Sequence, residues 1–149
     1  MKIYIGTDHA GFELKQKLVP FIQSLGHEAI DFGAHEYNEV DDYPDFITPV
    51  AKEVSANPAA RGIILGGSGQ GEAMTANKFP HVRAAVYYGG TFDIVRLSRE
   101  HNDANILSLG ARFLSEDEAK EAVRIWLNTP FPCDERHVRR LEKIEITKE

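Results

Sequence analysis

Short β-branched runs alternate with longer amphipathic stretches along the whole chain, and this alternation narrows the fold more than any other feature. KIYIG (2–6), HEAIDFG (27–33), RGIILGG (61–67), VRAAVYY (82–88) and ANILSLG (104–110) read as five strands. FELKQKLVPFIQSLG (12–26), DYPDFITPVAKEVSA (42–56), EAMTANKF (72–79), TFDIVRLSREHN (91–102) and SEDEAKEAVRIWLNTP (115–130) read as helices. In the first helix Phe12, Leu14, Leu18, Phe21, Ile22 and Leu25 fall near helical spacing and Gly26 ends the pattern. Pro20 is expected to kink that helix or to mark its first turn. Thr91 is the expected N-cap of the fourth helix, and Ser115 with Glu118 forms a capping-box pattern at the fifth.

Strands that alternate with helices build right-handed βαβ units. The expected fold is therefore a single-domain α/β structure, a three-layer αβα sandwich around an open, parallel, five-stranded Rossmann-like sheet. The 149 residues suit one domain spanning 1–149. The charged segment CDERHVRRLEKIEITKE (133–149) is expected to be helical, either a solvated tail or an arm that packs on a partner. Ligands of such sheets collect beyond the carboxyl ends of the strands. DHAG (8–11), GGSGQGE (66–72), HND (101–103) and ARF (111–113) are all expected to gather there.

Composition excludes several classes of function. A net charge of −6 argues against nucleic acid or an anionic membrane as the main partner. No apolar run approaches the roughly 20 residues that span a bilayer. The amino-terminal MKIYIGTDHAG enters a strand at once and lacks a signal-peptide apolar region, so a cytoplasmic location is expected. The one cysteine, Cys133, leaves no intrachain disulfide or cysteine-based zinc site and reads as an incidental thiol. His27, His35 and His81 show no metal-ligand spacing, and neither a metal nor a cofactor is expected.

The loop GGSGQGE is the most informative stretch. Gly66 and Gly71 have Walker A spacing, but Glu72 and Ala73 stand where lysine and serine or threonine belong. The dinucleotide fingerprint also fails, because Gly67 and Gly69 call for glycine at position 72. What remains is a glycine-lined turn into a helix, with main-chain N–H groups free to face a small negative charge. The plain reading is a tight turn with a first-turn acid. The chemical reading is a base, Glu72, beside an oxyanion pocket, which is what abstracting a proton next to a carbonyl requires. A helix N-terminus lowers a carboxylate's pKa, so burial would have to offset it.

DHAGFELK (8–15), DYPDF (42–46), GGSGQGEAMTANK (66–78), SREHNDANILSLGAR (98–112) and ERHVRRL (135–141) follow one another in an order that resembles the type B ribose-5-phosphate isomerases. Their galactose-6-phosphate and allose-6-phosphate isomerase relatives share it. Many members carry a cysteine base at the start of the loop, where this chain has Gly66; it resembles the branch with glutamate after the last loop glycine, here Glu72.

The resemblance implies an aldose–ketose isomerase, most simply of ribose 5-phosphate, with six-carbon sugar phosphates as the rival substrates. A rival of another kind is a non-catalytic phosphosugar binder on the same fold. By resemblance His101 opens the sugar ring, Asn102 bonds the sugar, and Asp8 and His9 contact hydroxyls or phosphate. Ser68 and the N–H groups of Gly67, Gly69, Gln70 and Gly71 form the oxyanion pocket, with Tyr43 lining the sugar site. Arg112, Arg136, His137 and Arg140 match phosphate-binding positions, and arginine's planar fork suits phosphate oxygens. By itself RHVRR reads equally as a solvated basic face. In the family the carboxyl-terminal arginines and the ring-opening histidine serve the neighbouring subunit's site, implying a homodimer with shared active sites; some relatives form tetramers. Trp126 reads as core or interface.

Overall fold

The computed structural model describes residues 1–146 and carries five parallel strands. They are β1 (Lys2–Thr7), β2 (Glu28–Asp31), β3 (Arg61–Gly66), β4 (Ala84–Tyr87) and β5 (Ile106–Gly110), in the order β2-β1-β3-β5-β4. The helices are α1 (Phe12–Ser24), α2 (Tyr43–Ala56), α3 (Gln70–Ala76), α4 (Asp93–Glu100), α5 (Glu116–Asn128) and α6 (Glu135–Ile146), with a 3-10 turn at His9–Gly11. The expected α/β sandwich is what the chain forms.

The layers follow from the twofold period of a strand. Ile3, Ile5, Ile63, Leu65, Leu107 and Leu109 face one side and pack on Leu18 and Ile22 of α1, Val95 of α4 and Ala122, Val123 and Trp126 of α5. Tyr4, Ile64 and Ile106 face the other side, against Ile47, Val50, Ala51 and Val54 of α2 and Ala76 of α3. Trp126 is fully buried with the Arg61 guanidinium 5.3 Å from its ring centroid, so it belongs to the core.

Three local expectations need correction. α1 runs from Phe12 to Ser24 with Pro20 inside it on an exposed position, so Pro20 does not mark the helix's first turn. α4 begins at Asp93, and Thr91 acts one residue early, its Oγ1 accepting from Asp93 N at 3.2 Å. α3 begins at Gln70 rather than Glu72, because Gly69 turns the chain with a left-handed φ of 79°. The capping box at Ser115 and Glu118 forms as expected.

The carboxyl-terminal segment is not a solvated tail. Glu145 of α6 accepts from Arg83 Nη1 at 2.9 Å and from His81 N at 3.1 Å, and His137 stacks on His101. The helix expected as an arm on a partner is thus held to its own domain by one face. The last residues of the segment, 147–149, lie outside the described residues.

Candidate active site

β1 and β3 are neighbours whose chain connections leave in opposite directions across the sheet, which opens a crevice at their carboxyl ends. Asp8, His9, Ala10, Tyr43, Gly67, Ser68, Gly71, Glu72, Arg112 and Phe113 line a cavity of about 510 Å³ there. Four separate segments contribute, so only the fold brings these residues together.

Glu72 is one of the buried carboxylates on this cavity. It is 4% exposed, and its carboxylate lies directly over the α-carbon of Gly66, so a methyl group added at Gly66 would fall inside it. A side chain at position 66 and this carboxylate compete for the same space. Burial raises the Glu72 pKa above the usual carboxylate range, and the charge of Asp8 pushes the same way; a hydrogen bond from its own main-chain N–H opposes them. The weakening of the base expected at a helix start is therefore outweighed.

Asp8 is 6% exposed and caps the 3-10 turn, its Oδ1 accepting from Ala10 N at 3.0 Å. Burial raises its pKa as well, and Asp41 adds to that, while the Ala10 hydrogen bond, His9 and Arg112 oppose. Tyr43 rests against Gly71, its hydroxyl 2.6 Å from where a Cβ would stand, and Arg112 lies 3.0 Å from the equivalent point on Gly67. Both glycines thus let a functional side chain reach the cavity.

The loop amides divide into two groups. Among the described residues no acceptor takes the N–H groups of Gly67, Ser68 and Gly71, which line the cavity. Gln70 and Gly69, expected in the same pocket, do not line it. Gln70 is exposed with its N–H directed to Ser68 Oγ at 3.3 Å, and Gly69 is buried against β5, its carbonyl accepting from Ser108 Oγ at 2.5 Å.

The largest correction concerns His101 and Asn102. In a parallel sheet a segment that precedes a strand lies at its amino edge, and residue 105 pairs there with Gly62. β5 runs from Ile106, opposite Gly62, to Gly110, opposite Gly66, so about 13 Å of strand separates the two edges. His101 and Asn102 are therefore not gathered with Glu72 in this chain. Asn102 lines a different cavity of about 410 Å³ with Asn77, Arg83, Leu141 and Ile144. His101 stacks on His137 of α6, ring centroids 4.4 Å apart and planes 18° from parallel. His137, expected among phosphate ligands, is 4% exposed with a buried, unpartnered Nε2; burial and the neighbouring His101 hold its pKa below the ordinary imidazole value.

Arginines sort by their commitments. Arg61, Arg83, Arg96, Arg99 and Arg124 all bond backbone carbonyls or carboxylates. Arg112, Arg136 and Arg140 are exposed and make no ion pair among the described residues, as does Arg139, which the sequence reading passed over. Asp41 was also missed. It accepts from His9 Nδ1 at 2.6 Å, and nothing in the polar stretch NEVDD marks it. Asp8, His9 and Asp41 are the group among the described residues whose donor atoms could meet at a metal, all within 4.8 Å, although the 2.6 Å contact is that of a hydrogen-bonded pair.

Fold and site together define a parallel α/β protein with a buried carboxylate over a glycine-rich loop. Comparison with known proteins narrows that class. Residues 3–144 match the family described as ribose/galactose isomerase, and the chain belongs to that family. It is 42% identical to the ribose-5-phosphate isomerase B of Mycolicibacterium paratuberculosis, over 95% of this chain and 88% of that one. Among solved structures, ribose-5-phosphate isomerase B of Clostridium thermocellum is 45% identical with a TM-score of 0.93, covering 99% of this chain and 97% of that one. The Mycoplasma genitalium enzyme, solved with bound ribulose 5-phosphate, is 34% identical with a TM-score of 0.94, covering 99% and 95%.

Proposed function

We propose that the protein is an aldose–ketose isomerase that interconverts ribose 5-phosphate and ribulose 5-phosphate through an enediolate. The observation that carries this reading is the buried Glu72 carboxylate beside three unpartnered loop amides on one cavity. With the open-chain sugar bound, Glu72 removes the proton from C2. The C–H electron pair forms the C1–C2 double bond, and the carbonyl π pair moves onto O1. The amides of Gly67, Ser68 and Gly71 hold that oxyanion, which exists only during reaction. The O2 proton then passes to O1; as the enediolate collapses O2 becomes the new carbonyl, and the C1–C2 π pair takes the proton back from Glu72 at C1. Asp8, His9 and Tyr43 hold the sugar hydroxyls.

The phosphate needs more cations than the cavity holds, since Arg112 is the one arginine lining it. We assign the remainder to a second copy of the chain in a homodimer with shared active sites. Its Arg136 and Arg140, one turn apart on α6 and without ion pairs, complete the phosphate site, and its His101 and Asn102 meet the sugar ring. His101 there takes the anomeric hydroxyl proton and hands it to the ring oxygen as the bond from C1 to that oxygen breaks. No helix among the described residues is long and apolar enough to cross a membrane. A panel of five- and six-carbon aldose phosphates assayed for ketose formation tests the reading. Fastest turnover with ribose 5-phosphate is expected. A six-carbon preference would move the substrate within the family, and binding without turnover of any sugar would overturn the isomerase.

A further inference from the structure

We propose that Asp41 is a positioning residue for His9, holding the imidazole so that Nε2 is presented to the sugar phosphate; this rests on the isomerase reading above. Asp41 stands in the loop between β2 and α2, 32 positions from His9. Its Oδ1 accepts from His9 Nδ1 at 2.6 Å and from the His9 main-chain N–H at 3.1 Å. A carboxylate offers only lone pairs, so the proton of this contact sits on Nδ1. The nitrogen left for the cavity is Nε2.

Three further observations show that the ring is held on purpose rather than in passing. The Asp41 side chain is 8% exposed, and its Oδ2 is buried with no hydrogen-bond partner among the described residues. Enclosing a carboxylate with one oxygen unsatisfied is costly, and capping a single backbone N–H in a polar loop does not require it. Asp8 is the alternative partner, but its Oδ2 lies 4.0 Å from the same Nδ1, beyond hydrogen-bond reach. Tyr37 meets the His9 ring edge-on, with centroids 6.3 Å apart and planes at 90°. The ring is thus fixed in its plane by Asp41 and bordered by Tyr37. A half-turn about its stem would break the Asp41 bond and put a carbon where Nε2 faces substrate. Asp41 removes that orientation before the sugar arrives, an arrangement of the kind that second partners of functional histidines supply.

Asp41→Asn tests this, because an amide keeps the volume yet can also donate to Nδ1 and shift the proton to Nε2. KM should rise about tenfold while kcat changes by less than about threefold. A merely structural defect would instead lower the active fraction and hence kcat at constant KM. Nitrogen-15 shifts of the His9 ring should show Nδ1–H in the wild type and a growing Nε2–H population in Asp41→Asn. In a His9→Gln background the Asp41 change should add nothing. A wild-type ring protonated on Nε2, or equal effects of Asp41→Asn with and without His9, would overturn the proposal. The ring measurement needs no substrate. Failure of the isomerase reading would show as no turnover with an intact Nδ1–H signature, whereas failure of this proposal would show as an Nε2–H ring in an active enzyme.

Discussion

The two edges of the sheet are built on opposite plans. At the carboxyl edge Glu72 and Asp8 are buried, 4% and 6% exposed, and their carboxyl groups are pushed up by that burial. At the amino edge and on α6 stand a half-buried His101 and exposed guanidinia, Arg136 and Arg140, with no ion pair among the described residues. A base works best when dry and away from cations, because a nearby guanidinium lowers a carboxylate's pKa. A phosphate site works best with cations not already spent on carboxylates. In the proposed dimer the two sets, at opposite edges of one chain, would meet at one cavity, where Arg112 is the arginine the base's own chain supplies.

Breaking the carboxyl edge should have the largest effect. Glu72→Gln keeps the shape over Gly66 and removes the base, so kcat should fall about 10²- to 10⁴-fold while sugar phosphate still binds. Steady-state kinetics with a parallel binding titration checks this, and wild-type turnover would mean another group takes the proton. The amino edge is sharpened by contrasting free and committed arginines. Arg136→Ala and Arg140→Ala should each raise KM roughly 10- to 100-fold with unchanged denaturation midpoints, since neither supports the fold. Arg99→Ala should do the reverse. Arg99 is 4% exposed and bonds Asp103, the Ala104 carbonyl and the Thr129 carbonyl, so its loss should cost about 3–5 kcal/mol of stability.

The smallest effects are on pH dependence. Glu72 must be ionised to act, so the acid limb of kcat/KM should lie above 4.5, the ordinary glutamate value. The same raised pKa is a cost to the fold. Between the unfolded and folded values the native protein holds more protons than the unfolded chain, so stability falls as pH rises through that window and stays lower above it. Glu72→Gln should therefore raise Tm near neutral pH, with the gain shrinking as pH falls through the folded value and gone below 4.5. A Tm difference independent of pH would contradict the burial account.

Much of this was legible in the chain, for stated reasons. Alternating Ile3, Tyr4 and Ile5 encode a strand covered on both faces, and Ser115 with Glu118 encodes a helix start; both signals are local. Glu72 was legible because it stands where two phosphate motifs demand something else. The misplacement of His101 and Asn102 was topological. Residues just before β5 are near the site in sequence but belong to the sheet's other edge, since parallel strands all enter from one side. Gln70 was assigned by its place among glycines, and only the left-handed turn at Gly69 shows that it faces solvent. Asp41 left no trace, because a carboxylate in a run of carboxylates looks solvated until the fold encloses it.

Mixing two inactive variants tests the shared site most directly. Glu72→Gln and His101→Ala protomers, unfolded together and refolded in equal amounts, would form mixed dimers with one site intact and one doubly altered. About a quarter of wild-type activity should return, since half the dimers are mixed and each has one good site. A mixture as inactive as its parents, from dimers shown to have exchanged, would place Glu72 and His101 in separate functions and contradict a catalytic centre assembled from two chains.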